Sequence, residues 1–340
     1  VDRSTSQRIY AARGTVLGLV LGSSVGALAG NVPDDEPLQA TSGGQLACFT
    51  VDGLIRADVR LSHKGICYHP GVVWHAYHRW ATAQRIAGIK PWSDENWPDG
   101  WLVHVPVLAQ RRGSAPATVA ALQGKKSGTI EEPVGSSIGA HAVVRSLPAA
   151  LLPDEVDRAG QLAAEIAALT HCGEAVDAAA VGTMMIHQVS RGRGIADAAA
   201  LAERQWPAAA GKSLALAAAQ APAAQPAVLS QLASDARATS ALAGGVYAAM
   251  SFPEPERVRD ALLFAASAGD GGHAAAVAGT LLGAMHGPNA LPVDWLSRLE
   301  LAWAADTLAQ DFVRQITENP SGNLYGEADD PHWSDRYPGW

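Results

Sequence analysis

The sequence predicts an all-α protein, and three of its features do so together. Alanine dominates long stretches, apolar residues recur three and four apart, and hairpin turns and β-branched runs are scarce. With 340 residues, 48% hydrophobic and 17% charged, the chain can bury a large core without cross-links. Its cysteines, Cys48, Cys67 and Cys172, are odd in number and far apart, which argues against a disulfide framework and for a reducing, cytoplasmic setting. A net charge of −8 excludes a broad nucleic-acid footprint, which needs clustered lysine and arginine.

The first helix is expected over residues 15–30. Its apolar run follows Arg3, Arg8 and Arg13 and so mimics a secretory signal, while about sixteen residues is short for a membrane span. Gly14, Gly18, Gly22, Gly26 and Gly30, however, fall at every fourth position. On a helix that spacing makes a smooth stripe where another backbone, or a ligand, can approach closely. A buried first helix, with no membrane contact, is therefore expected.

A polar loop over 31–44 carries Asp34, Asp35 and Glu36, and a helix over 45–61 carries Thr50 and Asp52. Over 72–86, Trp74, Tyr77 and Trp80 repeat at a helical spacing that suits packing. Trp92, Trp97 and Trp101 stand among Pro, Asp and Gly and pin an ordered loop to the core. Residues 123–137, with Lys125, Lys126, Glu131 and Glu132, suggest a functional loop, since apolar periodicity resumes at Ala142.

Beyond Pro153 the pattern is helix after helix. Asp154 and Glu155 favour the start of a helix over 156–169. Others are expected at 174–189, 196–206, 227–232, 238–250, 256–267, 273–286 and 292–316, the last opened by Pro292. The Ala, Gln and Pro stretch at 208–227 suggests a mobile surface connection, and the tail 319–340 an irregular cover anchored by Trp333 and Trp340. No long repeat interrupts the pattern, so residues 1–340 are expected to form one domain.

Two motifs carry little. Gly211-Lys212-Ser213 ends like a phosphate-binding loop, but Trp206 stands where that motif needs its first glycine, and no strand precedes it. His63, Cys67, His69, His75 and His78 cluster without metal-site spacing among packing aromatics. Gly269-Asp270-Gly271-Gly272-His273 carries more, because glycines present a carboxylate at a helix entrance.

Taken in order, these pieces resemble the ADP-ribosylglycohydrolase family, of the dinitrogenase-reductase-activating type. Arg13-Gly14-Thr15-Val16-Leu17-Gly18, with Gly22 and Gly26, is similar to the family's opening helix, and Thr50-Val51-Asp52 to its Thr-Asp-Asp. Ser137, Gly139, Arg145 and Pro148 resemble its substrate loop, followed by Leu169-Thr170-His171. Gly269 to His273, then Gly279 and Gly283, resemble its Gly-Asp-x-Asp-Thr stretch and glycine-bearing helix.

The resemblance implies a compact orthogonal helical bundle whose cleft holds two magnesium ions and cleaves a bond at a ribose anomeric carbon. It also implies ligand contacts from Ser137, Gly139, His141, Arg145, Gly269 and Gly271, and metal ligation by Thr50, Asp52 and Asp270. Departures stand out: Val51 and Gly272 replace aspartates, His273 a threonine, Ser23 an acidic residue and Gly30 a glutamate. His141 and Val144 alter the substrate loop.

Two surviving carboxylates cannot balance two magnesium ions, so at most one weakly held Mg²⁺ is expected. The expectation is a pseudoenzyme that binds a nucleotide- or ribose-like small molecule, or a protein partner. The alternative is a repurposed glycosyl hydrolase or transferase using Asp52, Asp270, His141 and His273.

Overall fold

The computed structural model describes residues 3–90, 97–124, 126–153, 155–207, 211–270 and 272–339. Trp92, Lys125, Asp154, Gly271 and Trp340, each assigned a part above, lie outside the described residues.

Among the described residues there are sixteen α-helices and no strand. The first eight are α1 (Arg3–Ala27), α2 (Ser42–Lys64), α3 (His69–Ala83), α4 (Pro116–Gln123), α5 (His141–Ser146), α6 (Val156–Ala168), α7 (Glu174–Val189) and α8 (Ile195–Gln205). The rest are α9 (Gly211–Gln220), α10 (Pro226–Leu232), α11 (Ala238–Ser251), α12 (Val258–Ala266), α13 (His273–His286), α14 (Val293–Leu296), α15 (Ala302–Glu318) and α16 (Trp333–Arg336). The all-α expectation holds.

The glycine stripe sets the architecture. A Cβ on Gly14, Gly18, Gly22 or Gly26 would stand 2.0–2.1 Å from a carbonyl oxygen of Gly283, Gly279, Ala275 or Gly272, respectively. From the other side, a Cβ on Gly279 or Gly283 would stand 2.2 or 2.0 Å from the oxygens of Gly18 and Gly14, respectively. Hence α1 and α13 pack backbone to backbone, an approach that any side chain would block. The most apolar window of α1 is 78% buried within the protein, although its length and composition alone would suit a membrane span. Around this pair, α2, α12 and α15 pack on α1, and α11 packs on α13.

Two expectations change. The 292–316 stretch is not one helix, because Leu38 pairs with Leu299 in a short parallel bridge that interrupts it between α14 and α15. The 208–227 stretch, expected to be a mobile connection, is largely helical where described. Alanine favours helix, and α9 buries Leu214 and Ala217 against α11.

The described part of the tail is irregular apart from α16, and Trp333 in it is buried. Tyr337 also donates its hydroxyl to Asp311 at 2.6 Å. The 123–137 loop packs on the end of α6, where the Gly128 N–H reaches the Leu169 carbonyl. None of its described residues lines the cleft described next.

Candidate functional site

The first turns of α2 and α13 open into a cleft of about 530 Å³. Thr41 caps α2 in extended conformation and accepts the Gly44 N–H at 3.0 Å. Its hydroxyl also shares a 2.6 Å hydrogen bond with Ser23 of α1. Ser42 donates to the Ser114 carbonyl at 3.1 Å and ties α2 to the segment carrying Arg111 and Arg112. Ser23, Thr41, Ser42, Ser114 and the two arginines line the cleft.

Gln45 positions the arginines. It is fully buried, and its amide donates to the carbonyls of Val107 and Gln110 while accepting from Trp80 and Gln84. With its polar atoms all satisfied, it fixes the turn that precedes Arg111. Arg112 then donates Nε and Nη2 to Glu300, whose Oε2 also accepts the Ala40 N–H at 2.9 Å. Arg111 spends one donor on the Arg85 carbonyl.

His141, first residue of α5, and His273, first residue of α13, both line the cleft. Their rings lie 5.1 Å apart in an edge-to-face arrangement. Burial, reinforced by the neighbouring His273 and Arg145, pulls His141 down to about 3, and burial also lowers His273. Both imidazoles are therefore neutral at ordinary pH. Behind them His171 is pulled down to about 2, chiefly by burial, with Nδ1 2.7 Å from the Thr170 hydroxyl.

The other expected site residues lie elsewhere. Asp52 is buried within α2 at 2.8 Å from Arg56, one turn on, and Arg56 also holds Asp99 together with Arg79. Thr50 hydrogen-bonds Tyr77 at 2.7 Å in the core. Neither residue lines the cleft. The part of this stretch that does line the cleft is Thr41-Ser42-Gly43, at the start of the same helix and about two and a half turns before Thr50-Val51-Asp52.

Asp270 lies beneath the cleft wall and accepts the N–H groups of Gly272 at 2.8 Å and Ala274 at 2.5 Å. Burial pushes it up to about 6 despite those donors. Its carboxylate serves the entry to α13.

Arg145 is fully buried. It donates to Thr118 and to the Ile166 and Ala167 carbonyls at the end of α6, with its guanidinium 4.9 Å from the centre of the Tyr77 ring. It serves a helix C-terminus, not the cleft.

Ser137 and Gly139 belong to a short extended stretch beside residues 236–238, which aims α5 at the cleft. Gly269 packs near the Ala233 and Ser234 carbonyls, and Gly30 near Leu263 and Ala266. None of these four lines the cleft.

Sequence reading alone did not single out Ser24, Thr41, Ser42, Arg111 or Arg112 as cleft residues. Thr41 carried the signal for its own group, a capping residue directly before an apolar helix. The arginines carried none, because their place depends on Gln45, more than sixty residues earlier in the chain.

The helical architecture matches a solved structure described as an ADP-ribosylglycohydrolase-related protein complex, with a TM-score of 0.59 at 20% identity. The match covers 91% of this chain and 99% of that one, which establishes a shared fold. The sequence profile of the ADP-ribosylglycohydrolase family matches residues 4–322, and the chain belongs to that family. Comparison with curated proteins gives no match.

Proposed function

We propose that this protein is a non-catalytic member of its family, binding a nucleotide- or ribose-like small molecule in the cleft without a magnesium pair. The supporting observation is the donor set. Hydroxyls of Ser23, Thr41 and Ser42, glycine at 43 and 272, and imidazoles at 141 and 273 line the cleft, with Glu36 its one carboxylate among the described residues. Two hard divalent cations need several carboxylate oxygens to offset four positive charges. These residues do not fit that pair. Asp52 and Asp270 cannot make up the deficit, since Arg56 engages one and the α13 backbone the other.

A repurposed catalyst built on Asp52, Asp270, His141 and His273 is less well supported, because only the two histidines face the cleft. Calorimetry with ADP-ribose, with and without Mg²⁺, tests the proposal beside a turnover assay on ADP-ribosyl-arginine and ADP-ribosyl-serine peptides. Binding that ignores EDTA, with no turnover, is expected. Magnesium-dependent release of ADP-ribose would refute it.

A further inference from the structure

We propose that the cleft seats an oxyanion of its ligand directly, on Arg111, Arg112 and the first turn of α2, with no metal between. This inference rests on the metal-free reading of the same cleft and adds the ligand's chemical class.

The walls are rich in hydrogen-bond donors. Among the described residues, Arg112 commits Nε and Nη2 to Glu300 and Arg111 one nitrogen to the Arg85 carbonyl, so each guanidinium keeps donors for a ligand. Thr41 satisfies the N–H of Gly44, while the Ser42 and Gly43 N–H groups, in the first turn, have no partner within the helix.

A second, independent observation points to a ligand at the same place. Ser24 is 1% exposed and lines the cleft, yet its hydroxyl has no hydrogen-bond partner among the described residues. The buried Nδ1 of His141 is likewise unpartnered. Buried polar atoms left unpaired are costly, so a ligand that satisfies them gains their interaction.

Charge decides between ligand classes. Arg111 and Arg112 line the cleft with the exposed Glu36, and Arg112 is paired with Glu300. The cleft therefore carries no excess negative charge to attract a cation. Guanidinium, amide N–H and hydroxyl together match the acceptor-only edge of a phosphoryl or carboxylate group. The cleft's volume suits a nucleotide-sized molecule.

Calorimetry on the full chain in EDTA tests this with ADP-ribose, AMP, pyrophosphate, citrate and neutral adenosine. The expected result is that AMP binds at least about tenfold tighter than adenosine. Arg111→Gln should weaken AMP binding about tenfold and leave adenosine unchanged, and Ser24→Ala should weaken AMP severalfold. Citrate binding as tightly as AMP would assign a carboxylate ligand, and pyrophosphate binding alone a phosphoryl one; both support an oxyanion seat. Equal affinity for AMP and adenosine, indifference to Arg111→Gln with the fold intact by circular dichroism, or no binding of any oxyanion overturns it. Magnesium-dependent turnover would instead overturn the functional reading on which it rests.

Discussion

The hydroxyls of Ser23 and Thr41 meet at 2.6 Å where α1 passes the start of α2. Two hydroxyls in hydrogen-bond contact tie α1 to the start of α2 at that part of the cleft. The relationship sets both what the cleft can bind and what it would take to change it.

Restoring carboxylates should restore metal affinity. Gly43 has room for a side chain, since the nearest atom to its Cβ position is 3.4 Å away. The triple variant Ser23→Asp, Ser42→Asp, Gly43→Asp should bind Mg²⁺ at millimolar concentration and rise in Tm by several degrees with it, whereas the parent protein should not respond. Thermal scans across a magnesium series read this out. A parent protein stabilised by Mg²⁺ as strongly as the variant would contradict the proposed function.

The glycine contact between α1 and α13 leaves no space for a methyl group. Gly18→Ala should cost about 3 kcal/mol or more, because its Cβ would stand 2.0 Å from the Gly279 oxygen and a carbonyl cannot move aside like a flexible side chain. Gly135→Ala, with nothing within 4 Å, should stay within about 0.5 kcal/mol of the parent. Urea titrations of both variants measure the difference, and equal stabilities would rule out the tight packing described.

Asp52 should behave as a structural residue. Asp52→Ala strips buried Arg56 of one of its two carboxylates and should destabilise the protein by about 3 kcal/mol. Ligand affinity of the folded variant should be unchanged. A variant of normal stability that no longer binds or reacts would return Asp52 to the functional site.

Acid should unfold the protein early. His141 and His171 are pulled down to about 3 and 2, and His75 and His78 to about 4, all chiefly by burial. Their folded values lie below the unfolded imidazole value of about 6.5, so their contribution is complete above that pH and is lost as pH falls through it. Each costs about 1.4 kcal/mol per pH unit inside that window. Asp270, raised to about 6, works in the opposite sense and removes stability as pH rises from about 4 to 6. Four imidazoles outweigh one carboxyl, so the free energy of unfolding should fall steeply below about pH 6.5. Chemical denaturation between pH 8 and 5 should show that slope and a shallower one in His171→Gln. A flat profile would show that the histidines are not held neutral.

Much of the fold could be read before any coordinates. The four-residue glycine rhythm announced a backbone-to-backbone contact, and Pro, Asp and apolar periodicity marked most helices. Longer-range pairing could not be read. The bridge of Leu38 to Leu299 splits a stretch whose local pattern is continuous helix. The sequence names His141 and His273, but nothing local reveals that both line one cleft with their rings 5.1 Å apart.

The sequence by itself determined the class of the protein: its helices, their close-packed glycine seam and its family all follow from local composition, spacing and motif order. Tertiary structure alone decided which side chains face the cleft. Asp52 and Thr41 lie on the same stretch of chain, yet Arg56 and the core hold one while the mouth of α2 exposes the other. A helix presents its residues all round its axis, and only the packing of neighbouring helices selects the side left open to a ligand.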